Sequence, residues 1–239
     1  MSDPAPSRLT AQPGTPGGQS PAPGLHGLGL GRGSGRDGVL FVPPGLRSGH
    51  PAPLVLSLHG AGGRGMSAAS AGLLQAAEAS GTLVLAPDSR GPTWDVLMGG
   101  FGPDVDFIDS ALDRVFEAVQ VDPRRLVISG FSDGASYALS LGLGNGDLFS
   151  HIVAFSPGFM APDARRGTPP VFVSHGTHDA VLSVDACSRA LVPILEEVGY
   201  PVEYAEFDGG HEVPPEILRR ALEWLRSTRS SHLVVESSS

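Results

Sequence analysis

Short apolar runs alternate with longer amphipathic ones along most of this chain. Val39 to Val42, Pro53 to Leu58, Thr82 to Ala86, Leu126 to Ile128, His151 to Phe155, Val171 to Ser174 and Pro201 to Phe207 each read as a strand, most of them apolar enough to be buried. Between them lie segments with apolar residues at helical spacing. Pro103 to Gln120 is the strongest, with Val105, Ile108, Leu112, Val115, Phe116 and Val119 on one stripe. Ser67 to Ser80, the stretch after Gly134, Val184 to Val198 and Pro214 to Arg226 complete the helices. Strands that alternate with helices predict an open, mostly parallel sheet with helices on both faces.

The ends fall outside that pattern. Residues 1–36 are rich in Pro, Gly, Ser and Ala and read as a disordered tail, with one domain over 37–228 and a frayed tail over 229–239. The segment 1–36 also lacks the apolar core of a signal peptide, so a cytoplasmic location is expected. About 200 residues suit a single α/β domain with a full core.

Composition removes several kinds of chemistry. The net charge is −9, which argues against a nucleic-acid partner, because neutralising phosphates needs a basic face. All 16 basic residues are arginine, so a phosphate-loop lysine and Schiff-base chemistry are excluded. The single cysteine, Cys187, falls in the Val184–Val198 helix and reads as a core residue. No apolar run approaches the roughly 18 residues of a membrane span.

The chemistry concentrates where strands end. Gly130-Phe131-Ser132-Asp133-Gly134 is a G-x-S-x-G pattern between a strand and a helix, the setting of a nucleophile on a sharp turn. In an open parallel sheet the site lies at the carboxyl ends of the strands. Asp179 follows the Val171 strand, His211 follows the Pro201 strand, and His59-Gly60-Ala61-Gly62-Gly63 follows the Pro53 strand. The chain order Ser, Asp, His is the order of the α/β-hydrolase triad. A serine hydroxyl needs a base, here His211, and the imidazole needs an orienting carboxylate, here Asp179. The backbone amides of Ala61 and Asp133 are the expected oxyanion donors. Glu212, Asp133 and Asp88 are the rival acids. His59 reads as an organiser of the glycine loop, and His175 and His178 as structural. A metal site built from His175, His178, Asp179 and His211 would leave the serine without a role, so neither metal nor cofactor is expected.

The set HGAGG, GFSDGA, HGTHD and GGHEVPPEI resembles the phospholipase/carboxylesterase branch of the α/β-hydrolase superfamily, and is similar to polyhydroxybutyrate-depolymerase-like and feruloyl-type esterases. The resemblance covers residues 38 to 227. It implies the α/β-hydrolase fold, with Ser132, Asp179 and His211 as the triad and Ala61 and Asp133 as the oxyanion donors. Acyl-protein thioesterase relatives often carry glutamine after the nucleophile, where this chain has Asp133.

Only residues 156 to 170 separate two strands after the nucleophile, too few for a lid domain, so an open site is expected. Trp94, Met98, Phe101, Phe159 and Met160 lie in loops on the expected site side and are candidates for an apolar substrate pocket, or for packing onto the sheet. The reading that follows is a serine carboxylesterase for short-chain or aryl esters, as a monomer or homodimer. Lysophospholipase, acyl thioesterase or polyester depolymerase activity with the same triad is the alternative. A non-catalytic ligand-binding member of the fold is a further one.

Overall fold

The structure is a computed structural model that describes residues 7–31, 35–47 and 49–236. Among these, eight strands form one sheet: β1 (Gly24–Gly27), β2 (Gly38–Val42), β3 (Ala52–Leu58), β4 (Leu83–Pro87), β5 (Val121–Phe131), β6 (His151–Phe155), β7 (Val171–Gly176) and β8 (Val202–Phe207). Their order across the sheet is β1-β2-β4-β3-β5-β6-β7-β8. Only the β1–β2 and β2–β4 pairs are antiparallel. The other five pairs are parallel, joined by crossovers that carry α1 (Gly65–Ala68), α2 (Ala71–Ser80), α3 (Pro103–Ala118), α4 (Asp133–Gly144) and α5 (Ser188–Glu197). A final helix, α6 (Pro215–Glu236), closes the fold. Residues 156–170 cross from β6 to β7 without a helix. This is the expected sheet, lidless and with helices on both faces.

Side chains alternate across a strand, so each strand feeds two cores. Leu54, Leu56 and Leu58 of β3 and Leu126 and Ile128 of β5 join Ile108, Leu112 and Val115 of α3 and Leu139 of α4 in the larger one. Val55, Val127, Val153 and Phe155 point the other way and meet Ile217, Ala221 and Leu225 of α6 in a smaller one.

The structure departs from the expected elements at several points. The Pro/Gly-rich segment is not a free tail where it is described. Leu9, Ala11 and Leu28 are buried in the larger core. Thr10 and Ala11 donate their amides to Asp109, Leu9 donates to Asn145, and Ser7 bonds Asp163. Gly24–Gly27 adds an edge strand. Residues 1–6 and 32–34 of that expected tail lie outside the described residues. Proline and glycine still forbid a helix here, but three apolar anchors and side-chain acceptors hold an extended chain against the domain.

The single helix expected over 67–80 is two. Ser70 caps α2 by accepting the Leu73 amide, which breaks the run at Ala69. The Val184–Val198 helix starts only at Ser188, so Cys187 sits at its N-cap, still buried. The strand before Ser132 begins at Val121, ahead of the expected start at Leu126, and takes in Asp122 and Pro123. Helix α6 extends to Glu236, past the 228 boundary; residues 237–239 lie outside the described residues.

Candidate active site

Ser132 stands between β5 and α4 with φ 57° and ψ −122°, a conformation that non-glycine residues rarely hold. The flanking glycines make that turn possible. A Cβ on Gly130 would lie 2.1 Å from the Gly134 carbonyl oxygen, and one on Gly134 would lie 2.2 Å from that of Leu58. Backbones this close admit no side chain. The amides of Ala135 and Ser136 turn back to the Ser132 carbonyl and start the helix, leaving Asp133 at its first position. The N-terminus of α4 therefore lies directly behind the hydroxyl, with its positive end toward it.

The loops after β7 and β8 bring two further groups to Ser132. His211 Nε2 is 2.8 Å from Ser132 Oγ, and His211 Nδ1 is 2.6 Å from Asp179 Oδ2. A carboxylate only accepts, so Nδ1 carries the proton and Nε2 faces the hydroxyl with a lone pair. Asp179 is fixed by the amides of Val181 and Leu182, each donating to Oδ1 at 2.8 Å. Burial alone would raise its pKa. The Leu182 amide, the His211 bond and the Val181 amide together outweigh burial and hold the carboxyl below its usual range. His175 Nε2 lies 3.3 Å from the same carboxylate and donates to the Leu182 carbonyl at 2.8 Å, while Ser188 Oγ meets its Nδ1 at 2.7 Å.

The loop after β3 supplies the opposite wall. His59 Nδ1 donates to the Gly60 carbonyl at 2.8 Å, and its Nε2 accepts the Ser89 amide at 3.0 Å. Both nitrogens are used, and burial lowers the ring's pKa, so it stands neutral. Trp94 Nε1 donates to the His59 carbonyl at 2.8 Å. Thr93 Oγ1 donates to the Asp133 carboxylate at 2.5 Å, and the Gly62 amide reaches the Pro92 carbonyl at 2.8 Å. The loop that bears Ala61 is thus braced by the segment that follows β4. Gly60 lies against the nucleophile, where a Cβ would stand 3.3 Å from the Ser132 Cβ.

The rival acids have other partners. The Asp133 carboxylate faces Thr93. Asp88 accepts from Arg64, Gly65 and Asp37. Glu212 is exposed beside Gly210. His178 turns outward to Asp208 at 3.0 Å. Among the described residues, no three His, Cys, Asp or Glu side chains group as metal ligands.

The candidate substrate pocket is largely corrected. Trp94 is fully buried, its ring 5.0 Å from Tyr137 and 4.8 Å from His59, so it packs the loop onto the sheet. Phe101 is in the core against Tyr137. Met160 packs on the same core, while Met98 is exposed and Phe159 half-buried. The sequence reading missed Phe131, whose ring packs 4.7 Å from that of His211. Its position inside G-x-S-x-G was the available signal.

Comparisons with known proteins point to one family. The family model described as phospholipase/carboxylesterase matches residues 105–229. Feruloyl esterase C of Emericella nidulans is 24% identical over 214 residues, covering 76% of this chain and 78% of that protein. The putative esterase NocK of Nocardia uniformis is 30% identical over 148 residues, covering 58% of this chain and 43% of its own length. Among solved structures, esterase PE8 superposes with a TM-score of 0.65 at 24% identity, covering 80% of this chain and 98% of that one. A ferulic acid esterase of Anaeromyces mucronatus, solved with ferulic acid, gives 0.59 at 19% identity over 76% of this chain and 81% of its own. With an elbow serine, the sheet order of an α/β-hydrolase and a family match over half its length, this chain belongs to the phospholipase/carboxylesterase family, whose members hydrolyse ester bonds.

Proposed function

We propose that this protein is a serine carboxylesterase that hydrolyses short-chain or aryl esters through an acyl-enzyme on Ser132. The observation that carries the reading is the unbroken chain from Ser132 Oγ through His211 to Asp179, at 2.8 and 2.6 Å. His211 takes the hydroxyl proton as Ser132 Oγ attacks the ester carbonyl. Asp179 holds the imidazole in the productive tautomer and stabilises the imidazolium. The Ala61 and Asp133 amides face the oxygen that becomes negative, and the start of α4 adds its dipole. His211 then protonates the leaving alcohol. Water, deprotonated by the same nitrogen, releases the acid and restores the serine. The lidless crossing after β6 suits small esters, and the feruloyl esterase relatives favour aryl ones.

Hydrolysis of p-nitrophenyl acetate by the wild type and Ser132→Ala, with and without EDTA, tests this. Triad loss is expected to remove turnover by about 10⁴-fold or more, with no effect of the chelator. Turnover that survives Ser132→Ala but disappears with EDTA would overturn the reading.

A further inference from the structure

Behind the reacting groups, on the sheet face turned toward α2 and α6, lies a cavity of about 610 Å³. It exists because small side chains line the sheet there. Ser57 and Ser129 stand where leucine would fill the space, and Ala221 faces them from α6. The volume is in the range of small-molecule sites, roughly 300–1,000 Å³.

The cavity is long, with two unlike ends. Along β5 it runs from Phe131 to Val127, roughly 13 Å at the rise of a strand. Along α6 it runs from Leu218 to Leu225, roughly 10 Å at the rise of a helix. Its inner end is buried and apolar, formed by Val55, Val127, Val153 and Leu225. Its outer end is exposed and polar, at Ser67, Ser70 and Glu212. Among the described residues no arginine lines it, and the chain as a whole carries −9. An anionic head would therefore meet Glu212 with no positive partner, whereas a hydroxyl can donate to Glu212 and accept from Ser70.

Neither Ser132 nor Asp133 is on its wall, although His211 and Ala61 are. The Phe131 ring, which also lines the cavity, packs against His211. We propose that this cavity is a second ligand site, taking the single hydrocarbon chain of an uncharged alcohol and separate from the cleft where Ser132 reacts. The assignment goes beyond the esterase reading. Only the separation from the cleft rests on that reading, because it is tested by blocking Ser132.

Calorimetric titration of octan-1-ol into Ser132→Ala tests the binding itself. One saturable site is expected, with hexan-1-ol weaker by about tenfold for the two methylenes lost. Octanoate is expected to bind weaker still than octan-1-ol. Wild type blocked with diethyl p-nitrophenyl phosphate is expected to bind octan-1-ol within twofold of the unblocked protein. Ala221→Leu, which fills the cavity, is expected to weaken binding about tenfold or more. Leu222→Trp, at a half-buried lining position, serves if that variant does not fold. Absence of saturable binding, octanoate binding as tightly as octan-1-ol, loss of binding on phosphorylation, or no effect of the filling variants would each overturn the proposal. Self-association in sedimentation that Leu222→Trp abolishes, without octan-1-ol binding, would give the cavity to a second copy of the chain and overturn it too. If the phosphate ester fails to label Ser132, the esterase reading fails, while octan-1-ol binding to Ser132→Ala still decides whether the cavity is a ligand site.

Discussion

Gly134 lies so close to Leu58 that a Cβ on it would stand 2.2 Å from the Leu58 carbonyl oxygen. That contact presses the start of α4 onto the end of β3. It sets the depth of Ser132 against the loop that begins at His59. Gly134→Ala is expected to cost about 3 kcal/mol of stability, because the clash is with backbone that cannot rotate away. Thermal denaturation checks it, with Gly45→Ala as the control, since nothing lies within 4 Å of a Cβ there.

His59 uses both ring nitrogens to hold the loop bearing Ala61. His59→Ala leaves the Ser89 amide without its acceptor and frees the loop. The expected result is a fall in kcat of about 10- to 100-fold with little change in KM, as for a misplaced oxyanion donor. A change confined to KM would place the ring's role in substrate binding instead.

Asp104 is buried beneath the segment that braces this loop, accepting the amides of Arg90 and Asp95. Burial raises its carboxyl to about 6, and the charge of Asp95 adds to the rise. The unfolded chain releases that proton near the ordinary aspartate value of about 4. The folded protein therefore holds a proton that the unfolded one has lost, and stability falls as the pH rises from about 4 to 6. Carbon-detected NMR titration is expected to give Asp104 a midpoint near 6. A midpoint in the ordinary aspartate range would refute the account.

Leu9 is fully buried in the larger core. Leu9→Ala is expected to cost about 2–4 kcal/mol, as for other leucines cut from a packed interior. Chemical denaturation measures it. A cost below about 0.5 kcal/mol, the scale of a surface change, would mean that the segment contributes nothing to the domain.

The elbow, the order of the three loop-borne residues and the alternation of strand and helix were all legible in the sequence. Each depends on local rules: glycines flanking a strained serine, polar residues just past apolar runs, and apolar periodicity. Trp94 was misplaced because a loop tryptophan looks the same whether it lines a cleft or stacks on Tyr137. Leu9 and β1 were missed because composition says where a helix cannot form, not where an extended chain can lie. The cavity was invisible because it comes from what Ser57, Ser129 and Ala221 leave unfilled across three separate elements.

Strand β8 lies at the edge of the sheet, and it is the strand that delivers His211. A chain that has joined β3, β5 and β6 already owns its serine elbow and its glycine loop, yet has no base. Turnover therefore requires the β8 edge of the sheet to be docked, whereas a signal from the centre of the sheet does not.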